Sequence, residues 1–281
     1  MLAACTAATL RSGGVERTYV LHRPRAQAGP RPAVIVLHGA FGSGAQTERY
    51  TGFDRVADAR GWVAVYPDGI GRRWNDGGTA SQPDDIGYLR DLIGALAADG
   101  IADPRHVYLA GISNGGFLAA RAACELGDRL DGVATVIATI AAEAARTCRP
   151  VRTVPVLIIA GTADPLVPYA GGMVAGGRFS DRGTALGAEA ALAHWAALAH
   201  CRPGGAATAL PVRDGTDSTR ITRIEGCADS GVATLLRVEG GGHAWPGAAP
   251  YLPRTVGPTS RQIDASATIA EFFEQAARRA P

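Results

Sequence analysis

Short apolar runs alternate with alanine-rich helical stretches along most of the chain. Several of the apolar runs have no polar residues in alternation, which is typical of strands buried on both faces of a sheet. Seven runs predict strands, at residues 17–22, 34–37, 62–66, 107–110, 133–140, 156–160 and 233–238. Five stretches predict helices, at residues 53–60, 86–98, 116–125, 188–200 and 264–278. This alternation predicts an α/β fold with a mostly parallel central sheet and helices on both faces.

Neither an internal repeat nor a linker divides the chain. The segment 169–187 is rich in Gly and weakly periodic, and the segment 201–217 carries Gly and Pro. We interpret both as surface excursions from one domain, because connecting segments run over the surface. The prediction is therefore an N-terminal tail at residues 1–16 followed by a single domain at residues 17–281.

The composition agrees with a folded chain that buries a sizeable core. Apolar residues make up 47% of the 281 residues and charged residues 19%, which excludes a disordered chain. The net charge is +2 with no block of like charge, so no nucleic-acid partner is expected. All 28 basic residues are Arg, and the lack of Lys excludes Schiff-base and Walker-type lysine chemistry. No apolar run reaches the roughly 18 residues of a membrane helix.

Five cysteines and the N-terminus bear on the cellular compartment. Leu2-Ala3-Ala4-Cys5 has the shape of a bacterial lipoprotein processing site, but the basic and hydrophobic regions that should precede it are missing. It is either a processing remnant, with a lipid anchor at Cys5, or a chance match. The other four cysteines would then pair by proximity as Cys124–Cys148 and Cys201–Cys227, as suits an exported protein. The alternative is four reduced, buried cysteines in a cytosolic protein.

The strongest chemical signal is Gly111-Ile-Ser113-Asn114-Gly115 between a predicted strand and a predicted helix. Gly-x-Ser-x-Gly at such a junction is a nucleophile elbow, in which a sharp turn exposes the serine hydroxyl. Small residues are needed at Gly111 and Gly115 because larger side chains would collide there. The N-terminus of the following helix would also stabilise an oxyanion.

A second signal is the Gly-rich segment at residues 38–44, which follows the buried strand ending at Leu37. Ligand sites gather at the carboxyl ends of parallel strands, and a loop there can turn a backbone N–H toward a substrate carbonyl. We assign this oxyanion-hole donor to Ala40, with Phe41 as the alternative, and the second donor to the N–H of Asn114.

A nucleophilic serine needs a base and an acid, in the chain order Ser, acid, His for this architecture. His243 follows the last predicted strand in a Gly-rich loop and is the candidate base. Asp164 directly follows a buried strand and is the candidate acid, whereas Asp68 precedes Ser113 and is interpreted as a turn residue. Asp84 and Asp85 are expected to cap the next helix. The other histidines have interpretations as packing or surface residues: His22, His38, His106, His194 and His200.

Several ordered motifs resemble one family. They are Leu37-His-Gly, Tyr66-Pro-Asp-Gly, Trp74-Asn-Asp, Asp84-Asp-Ile-Gly, Gly111-Ile-Ser-Asn-Gly-Gly, Gly161-Thr-Ala-Asp-Pro-Leu-Val-Pro-Tyr and Gly240-Gly-Gly-His-Ala-Trp-Pro-Gly. The chain is similar over residues 17–273 to the polyhydroxybutyrate depolymerase and feruloyl esterase family of α/β-hydrolases, which includes exported esterase lipoproteins. The resemblance implies Ser113 as nucleophile, Asp164 as acid and His243 as base. One departure is Phe117, where relatives often carry Met.

These features predict a serine ester hydrolase in an extracytoplasmic location, secreted or lipid-anchored, with a cytoplasmic location as the alternative. No metal or cofactor is required, and feruloyl and short hydroxyalkanoate esters, small or polymeric, are both compatible substrates. Phe41, Trp74 and Trp245 are candidates for an aromatic substrate wall, with core or rim packing as an equal alternative. The rival functions are an acyltransferase with the same triad and an inactive binding protein on this fold.

Overall fold

The computed structural model describes residues 5–24, 29–77, 83–174, 183–228 and 231–279. Its twelve strands are β1 Cys5–Ser12, β2 Val15–His22, β3 Arg31–Leu37, β4 Val63–Pro67, β5 Ala102–Ile112, β6 Gly132–Val136, β7 Val156–Gly161, β8 Gly171–Met173, β9 Thr184–Leu186, β10 Ala207–Ala209, β11 Arg220–Glu225 and β12 Ala233–Glu239. Ten of them form one sheet in the order β1-β2-β4-β3-β5-β6-β7-β12-β11-β10, while β8 pairs with β9 separately. The six central strands, β4 to β12 in that order, are parallel, and the outer strands are antiparallel.

Helices lie on both faces of this sheet. They are α1 Gly44–Thr51, α2 Phe53–Arg60, α3 Asp85–Ala98, α4 Asn114–Glu125, α5 Ala142–Thr147, α6 Ala188–Leu198, α7 Pro253–Val256 and α8 Ala265–Arg279. One core cluster packs α3, α4 and α6 on one face, and a second packs α2 and α8 on the other. Along β3 the side chains alternate between these clusters, with Ile35 and Leu37 in the first and Val34 and Val36 in the second. This double burial explains why the strand is uniformly apolar.

All seven predicted strands and all five predicted helices are present, which confirms the predicted α/β class. The strand predicted at 133–140 ends earlier, at Val136, because Ile137 has a left-handed backbone (φ 48°) that turns the chain out of the strand direction. The segment 169–187 carries β8 and β9, with residues 175–182 outside the described part, and the segment 201–217 carries the edge strand β10. Among the described residues, no helix combines the length and apolarity needed to cross a bilayer.

The N-terminal boundary differs from the prediction. Residues 1–16 were expected to form a tail, but Cys5–Ser12 is β1 and pairs along its whole length with β2. The two strands are joined by Gly13 and Gly14, both with positive φ, as a two-residue hairpin turn requires. This Gly-Gly pair is the sequence signal that would have predicted the hairpin. Met1–Ala4, the part of the lipoprotein-like motif before Cys5, lies outside the described residues.

Two disulfide bonds tie surface elements to the core. Cys124 at the end of α4 is bonded to Cys148 just after α5, and Cys201 after α6 is bonded to Cys227 just after β11. Both predicted pairings are confirmed, and the alternative of four reduced cysteines is not the state of this structure. Cys5 is a free, exposed thiol.

Candidate active site

Ser113 occupies a sharp turn between β5, which ends at Ile112, and α4, which begins at Asn114. Its backbone is left-handed (φ 54°, ψ −121°), a conformation that costs a non-Gly residue about 1–3 kcal/mol. The flanking glycines allow the turn to pack tightly. A β-carbon on Gly111 would lie 2.2 Å from the carbonyl oxygen of Gly115, and one on Gly115 would lie 2.5 Å from the carbonyl oxygen of His38. The elbow therefore requires Gly at both positions.

The structure brings Ser113, His243 and Asp164 together in one hydrogen-bonded chain. His243 Nε2 lies 2.9 Å from Ser113 Oγ, and His243 Nδ1 lies 2.8 Å from Asp164 Oδ2. The second carboxylate oxygen, Oδ1, accepts the backbone N–H groups of Leu166 and Val167 at 2.8 and 2.9 Å. The three side chains follow β5, β7 and β12, whose carboxyl ends meet at one edge because the strands are parallel.

The histidine-bearing loop is held in place by backbone bonds and one buried side chain. The N–H of His243 donates to the carbonyl of Val256, and the N–H of Gly242 donates to that of Pro258. The ring of Trp245 is 1% exposed, and its Nε1–H donates to Ser266 on α8. Trp245 is thus an anchor of this loop in the core, and its predicted place in a substrate wall is wrong.

Asp68, the competing acid, is part of a turn as interpreted from the sequence. Its Oδ1 accepts the N–H of Gly44 at 2.8 Å, and its Oδ2 accepts the hydroxyl of Thr18 at 2.7 Å. Asp84 caps α3 by accepting the N–H of Gly87, as expected. Asp85 does not cap this helix; it is fully buried and forms an ion pair with Arg17 at 2.7 Å.

A tight turn at residues 39–42 lies beside Ser113. It is closed by a bond from the N–H of Gly42 to the carbonyl of Gly39, and Phe41 has a left-handed backbone (φ 66°). The N–H of Phe41 donates to the carbonyl of Arg72 at 2.8 Å, so it does not face a substrate. None of the backbone bonds found in the described part of the chain uses the N–H of Ala40. Ala40 rather than Phe41 is therefore the N–H donor available from this turn.

The second candidate donor is the N–H of Asn114, the first residue of α4. The first N–H groups of a helix have no acceptor within the helix. The side chain of Asn114 meanwhile holds the neighbouring loop: its Oδ1 accepts the N–H of Trp74, and its Nδ2 donates to the Trp74 carbonyl and to the carboxylate of Asp76. Asn114 thus fixes the loop that carries Trp74 and Asp76 against the start of the helix.

The side chain of His38 supports the turn at residues 39–42. This fully buried imidazole donates from Nδ1 to the carbonyl of Gly39 at 2.7 Å and accepts the N–H of Gly69 at Nε2, at 2.9 Å. Burial lowers the pKa of His38, which favours the neutral ring that both bonds require. The indole of Trp74 donates to the His38 carbonyl at 2.9 Å and packs against its ring.

Trp74 therefore braces the turn from within the core, and at 5% exposure it does not form the predicted substrate wall. Of the three aromatic candidates only Phe41 is accessible, with 51% of its surface exposed and the Arg73 guanidinium 4.5 Å from its ring centre.

A narrow cleft opens beside Ser113. Its lining residues come from five separate segments of the chain and are Asp76, Ser113, Asn114, Phe117, Ala141, Val174 and Thr184. The sequence analysis singled out Phe117 as a departure from the family pattern but missed Asp76, Ala141, Val174 and Thr184. Only Asp76 carried a signal, as the last residue of the Trp74-Asn-Asp motif.

Solved structures of other proteins place this fold in a known class. The chain superposes on the acetyl xylan esterase from Aspergillus awamori with a TM-score of 0.61 at 10% identity, over 89% of this chain and 97% of that one. A thermostable esterase gives a TM-score of 0.59 at 13% identity, over 98% of this chain and 62% of that one. The fold is therefore that of the α/β-hydrolases, as the resemblance implied. No protein-family model matches the chain.

Sequence relatives define the family within that class. The chain is 36% identical to NocK of Nocardia uniformis subsp. tsuyamanensis, whose name assigns it provisionally to the esterases, over 96% of this chain and 83% of NocK. The chain therefore belongs to this esterase family. It is also 29% identical to feruloyl esterase B of Piromyces equi, over 76% of the chain but only 39% of that longer protein. The resemblance to feruloyl esterases is thus confirmed, and the resemblance to polyhydroxybutyrate depolymerases stays a prediction.

Proposed function

We propose that this protein is a carboxylic ester hydrolase that uses Ser113, His243 and Asp164 as a catalytic triad. The observation that carries the proposal is the continuous chain of hydrogen bonds from Ser113 Oγ through His243 to Asp164, at 2.9 and 2.8 Å. It lies next to two backbone N–H groups suited to an oxyanion and opens into the cleft. Membership of the esterase family supports the same reaction.

In the first step Ser113 Oγ attacks the ester carbonyl carbon while His243 Nε2 takes the hydroxyl proton. Asp164 accepts the Nδ1–H of His243, which keeps Nε2 free to act as the base. The N–H groups of Leu166 and Val167 hold the carboxylate in this orientation. No metal or cofactor takes part in this step.

The negative charge that develops on the carbonyl oxygen is stabilised by the N–H groups of Ala40 and Asn114. A donor of this kind typically contributes about 3–4 kcal/mol of transition-state stabilisation. The tetrahedral intermediate then collapses, and His243 returns its proton to the departing alcohol. Water, activated by His243, attacks the acyl-enzyme in the same way and releases the acid.

The cleft suggests how the acyl group is held. Phe117, Ala141 and Val174 offer apolar contacts, whereas Asp76, Asn114 and Thr184 offer polar ones. An acyl group with both an apolar body and a hydroxyl group matches this lining, as feruloyl and short hydroxyalkanoate groups do. Phe41, exposed on the adjacent turn, is placed to contact the alcohol part of the substrate.

We also propose that the protein functions in an extracytoplasmic compartment. Two disulfide bonds form and persist where the environment is oxidising. A lipid anchor at Cys5 stays a prediction of the sequence, and the surroundings of this thiol favour a different role, described in the next subsection.

The test of the triad is the variant Ser113→Ala, with Ser12→Ala as the matched control because Ser12 donates only to Asp91, far along the chain. We expect Ser113→Ala to lower kcat by roughly 10⁶-fold with unchanged folding, and Ser12→Ala to keep full turnover. A serine-directed phosphonate should add to Ser113 and be detected by intact mass. A folded Ser113→Ala variant with full activity would exclude this nucleophile.

The substrate class is tested on p-nitrophenyl esters of increasing chain length, methyl ferulate and polyhydroxybutyrate films. Product analysis in the presence of alcohols separates hydrolysis from acyl transfer. Preference for methyl ferulate or for short hydroxyalkanoates would assign the acyl group, and preference for long unsubstituted chains would contradict both assignments.

A further inference from the structure

Three side chains with metal-binding atoms meet far from Ser113 in the fold, at the outer edge of the sheet. Cys5 begins β1, His22 ends β2 directly opposite it, and Asp54 lies in the first turn of α2. The distances are 3.4 Å from Cys5 Sγ to His22 Nδ1, 3.6 Å from Cys5 Sγ to Asp54 Oδ2, and 3.5 Å from His22 Nδ1 to Asp54 Oδ2. The three atoms therefore form a nearly equilateral triangle.

This triangle has the size expected for three corners of a tetrahedron around Zn²⁺. With Zn–S of about 2.3 Å and Zn–N or Zn–O of about 2.0–2.2 Å, tetrahedral ligand atoms lie about 3.3–3.7 Å apart. A direct charge-assisted hydrogen bond between imidazole and carboxylate would be shorter, at about 2.7–2.9 Å. The separation of 3.5 Å between His22 Nδ1 and Asp54 Oδ2 is thus long for a hydrogen bond and suitable for two ligands of one ion.

The outer contacts of these groups are those that orient metal ligands. His22 is buried, and its other ring nitrogen, Nε2, donates to Asp58 Oδ1 at 2.8 Å. This bond directs Nε2 away from the triangle and leaves Nδ1 facing Cys5 and Asp54. The second oxygen of Asp54 accepts the hydroxyl of the buried Tyr66. Histidine ligands bonded to a carboxylate in this way are a general feature of zinc sites.

The local charge favours a cation. The carboxyl of Glu48 on α1 interacts with both Cys5 and Asp54, and the imidazole of His22 contacts Asp54 and Asp58, so three carboxyl groups gather around one histidine and one thiol. A divalent ion would balance this charge and would bind the sulfur as thiolate. Mixed sulfur, nitrogen and oxygen donors in tetrahedral positions suit Zn²⁺, with Glu48 or water available for the fourth position.

We propose that Cys5, His22 and Asp54 form a structural zinc site that fastens β1 to β2 and α2. Edge strand β1 pairs with the sheet on one side only, through β2, and most of its residues are exposed. A metal ion that binds the folded chain and not the unfolded chain stabilises the folded state. Strand β1 would therefore be held by the metal as well as by its hydrogen bonds to β2. Attachment of a lipid to Cys5 would remove the thiolate, so the two roles of this residue exclude each other.

The experiment uses the full chain, stripped of metal with EDTA and dialysed against Zn²⁺. We expect one zinc per chain by elemental mass spectrometry and a higher Tm than without metal. Co²⁺ in place of Zn²⁺ should give the thiolate charge-transfer band and the intense visible bands of a tetrahedral site. Cys5→Ser and Asp54→Asn should lose stoichiometric binding, and Asp58→Asn should weaken it about 10–100-fold.

Glu16→Gln is the matched control, since Glu16 is an exposed carboxylate on the same hairpin outside the triangle. It should bind zinc as the unmodified chain does, and all four variants should hydrolyse a p-nitrophenyl ester at the unmodified rate, which shows that they are folded. Failure of the unmodified chain to bind zinc, or equal binding by Cys5→Ser, would overturn the proposal. Diacylglyceryl-Cys5 in the mass spectrum of protein exported by a bacterial host would overturn it as well.

Discussion

Asp164 shows how one residue is selected for a role by the backbone around it. It is 8% exposed, and one of its oxygens is occupied by two N–H groups, so the other is directed to His243. Asp68 has the same side chain but uses both oxygens to hold a turn. The chemistry of a carboxylate is the same in both places, and its hydrogen-bond partners decide which one can orient a histidine.

The two acids are distinguished by Asp164→Asn and Asp68→Asn. Asn at 164 would hold His243 in the wrong tautomer, and we expect kcat to fall by about 10⁴-fold. Asn at 68 loses an acceptor for the N–H of Gly44 or the hydroxyl of Thr18, which should lower stability more than kcat. Steady-state kinetics beside urea unfolding separates these effects. A larger loss of kcat at 68 than at 164 would reverse the assignment of the acid.

The buried His38 predicts an acid-dependent loss of stability. Its folded pKa is lowered mainly by burial, although Asp68 and Asp85 oppose this shift and Arg72 adds to it. Above about pH 6.5, the ordinary pKa of histidine, the imidazole is neutral in both states and its contribution to stability is complete. As the pH falls through the lowered folded pKa this contribution is lost, because the unfolded chain binds the proton more readily.

We therefore expect His38→Gln, whose amide oxygen can still accept the N–H of Gly69, to remove part of the pH dependence below about pH 6.5. The difference in slope is at most about 1.4 kcal/mol per pH unit, measured by urea unfolding on both sides of that pH. His106→Gln is the control, since His106 is partly exposed beside Asp131. Equal slopes in His38→Gln and the unmodified chain would contradict this prediction.

At the scale of elements, the strand–turn–helix unit around Ser113 depends on close contact between β3, β5 and α4. Leu37 and His38 at the end of β3 approach the backbone of Gly115 closely enough to leave no room for a side chain. The same contact sets the turn at residues 39–42 beside Ser113. Packing of the elbow and placement of the proposed oxyanion-hole donors thus depend on the same contact.

The variant Gly115→Ala is expected to disturb both the elbow at Ser113 and the turn at residues 39–42. Its β-carbon would lie 2.5 Å from the His38 carbonyl oxygen and 2.7 Å from the Leu37 β-carbon, so β3 and α4 must separate. Such overpacking typically costs about 1–3 kcal/mol, and displacement of Ala40 should lower kcat more than it raises KM. Unfolding in urea and steady-state kinetics measure the two effects.

Gly94→Ala is the matched control, because Gly94 is an exposed position inside α3 where a β-carbon meets nothing within 4 Å. The helix propensity of Ala should raise stability there by about 0.5–1 kcal/mol with unchanged kinetics. Similar stability and activity in Gly115→Ala and the unmodified chain would show that the elbow is not as closely packed as described.

At the scale of the whole molecule, the disulfides secure regions that have little core of their own. The bond between Cys201 and Cys227 spans 26 residues and encloses β10 and β11, which form one edge of the sheet. β10 is three residues long and exposed throughout, so burial contributes little to its position. The covalent bond compensates for this by restricting the unfolded chain.

The double variant Cys201→Ser/Cys227→Ser should lose about 3 kcal/mol of unfolding free energy, which is measured as a lower Tm. Its rate of ester hydrolysis should be unchanged. Thiol reductant should lower the Tm of the unmodified chain and have no effect through this bond in the variant. Cys5→Ser serves as the control for thiol loss alone, in buffer without zinc. Four alkylatable thiols, besides Cys5, in denatured protein from an oxidising host would contradict the prediction.

Local sequence was enough for seven of the twelve described strands, for five of the eight described helices and for the chain order of the proposed triad. Strand and helix periodicities are properties of neighbouring residues. The glycines on either side of Ser113 predict a sharp turn, because only small residues fit there. Parallel strands share one carboxyl edge, so residues placed just after them, Ser113, Asp164 and His243, could be expected together from the chain order. The cysteine pairs were equally accessible, since each pair is close in sequence.

Only the tertiary structure decided the partners of groups that are far apart in the chain. The burial of Trp74 and Trp245, the bond from Phe41 to Arg72 and the cleft lining all depend on atoms from separate segments. The meeting of Cys5 with Asp54 has the same origin, because the hairpin and α2 become neighbours only when the sheet forms. The exposure of a side chain and its hydrogen-bond partners are set by packing between segments that are distant in the chain. A local sequence pattern therefore cannot predict them.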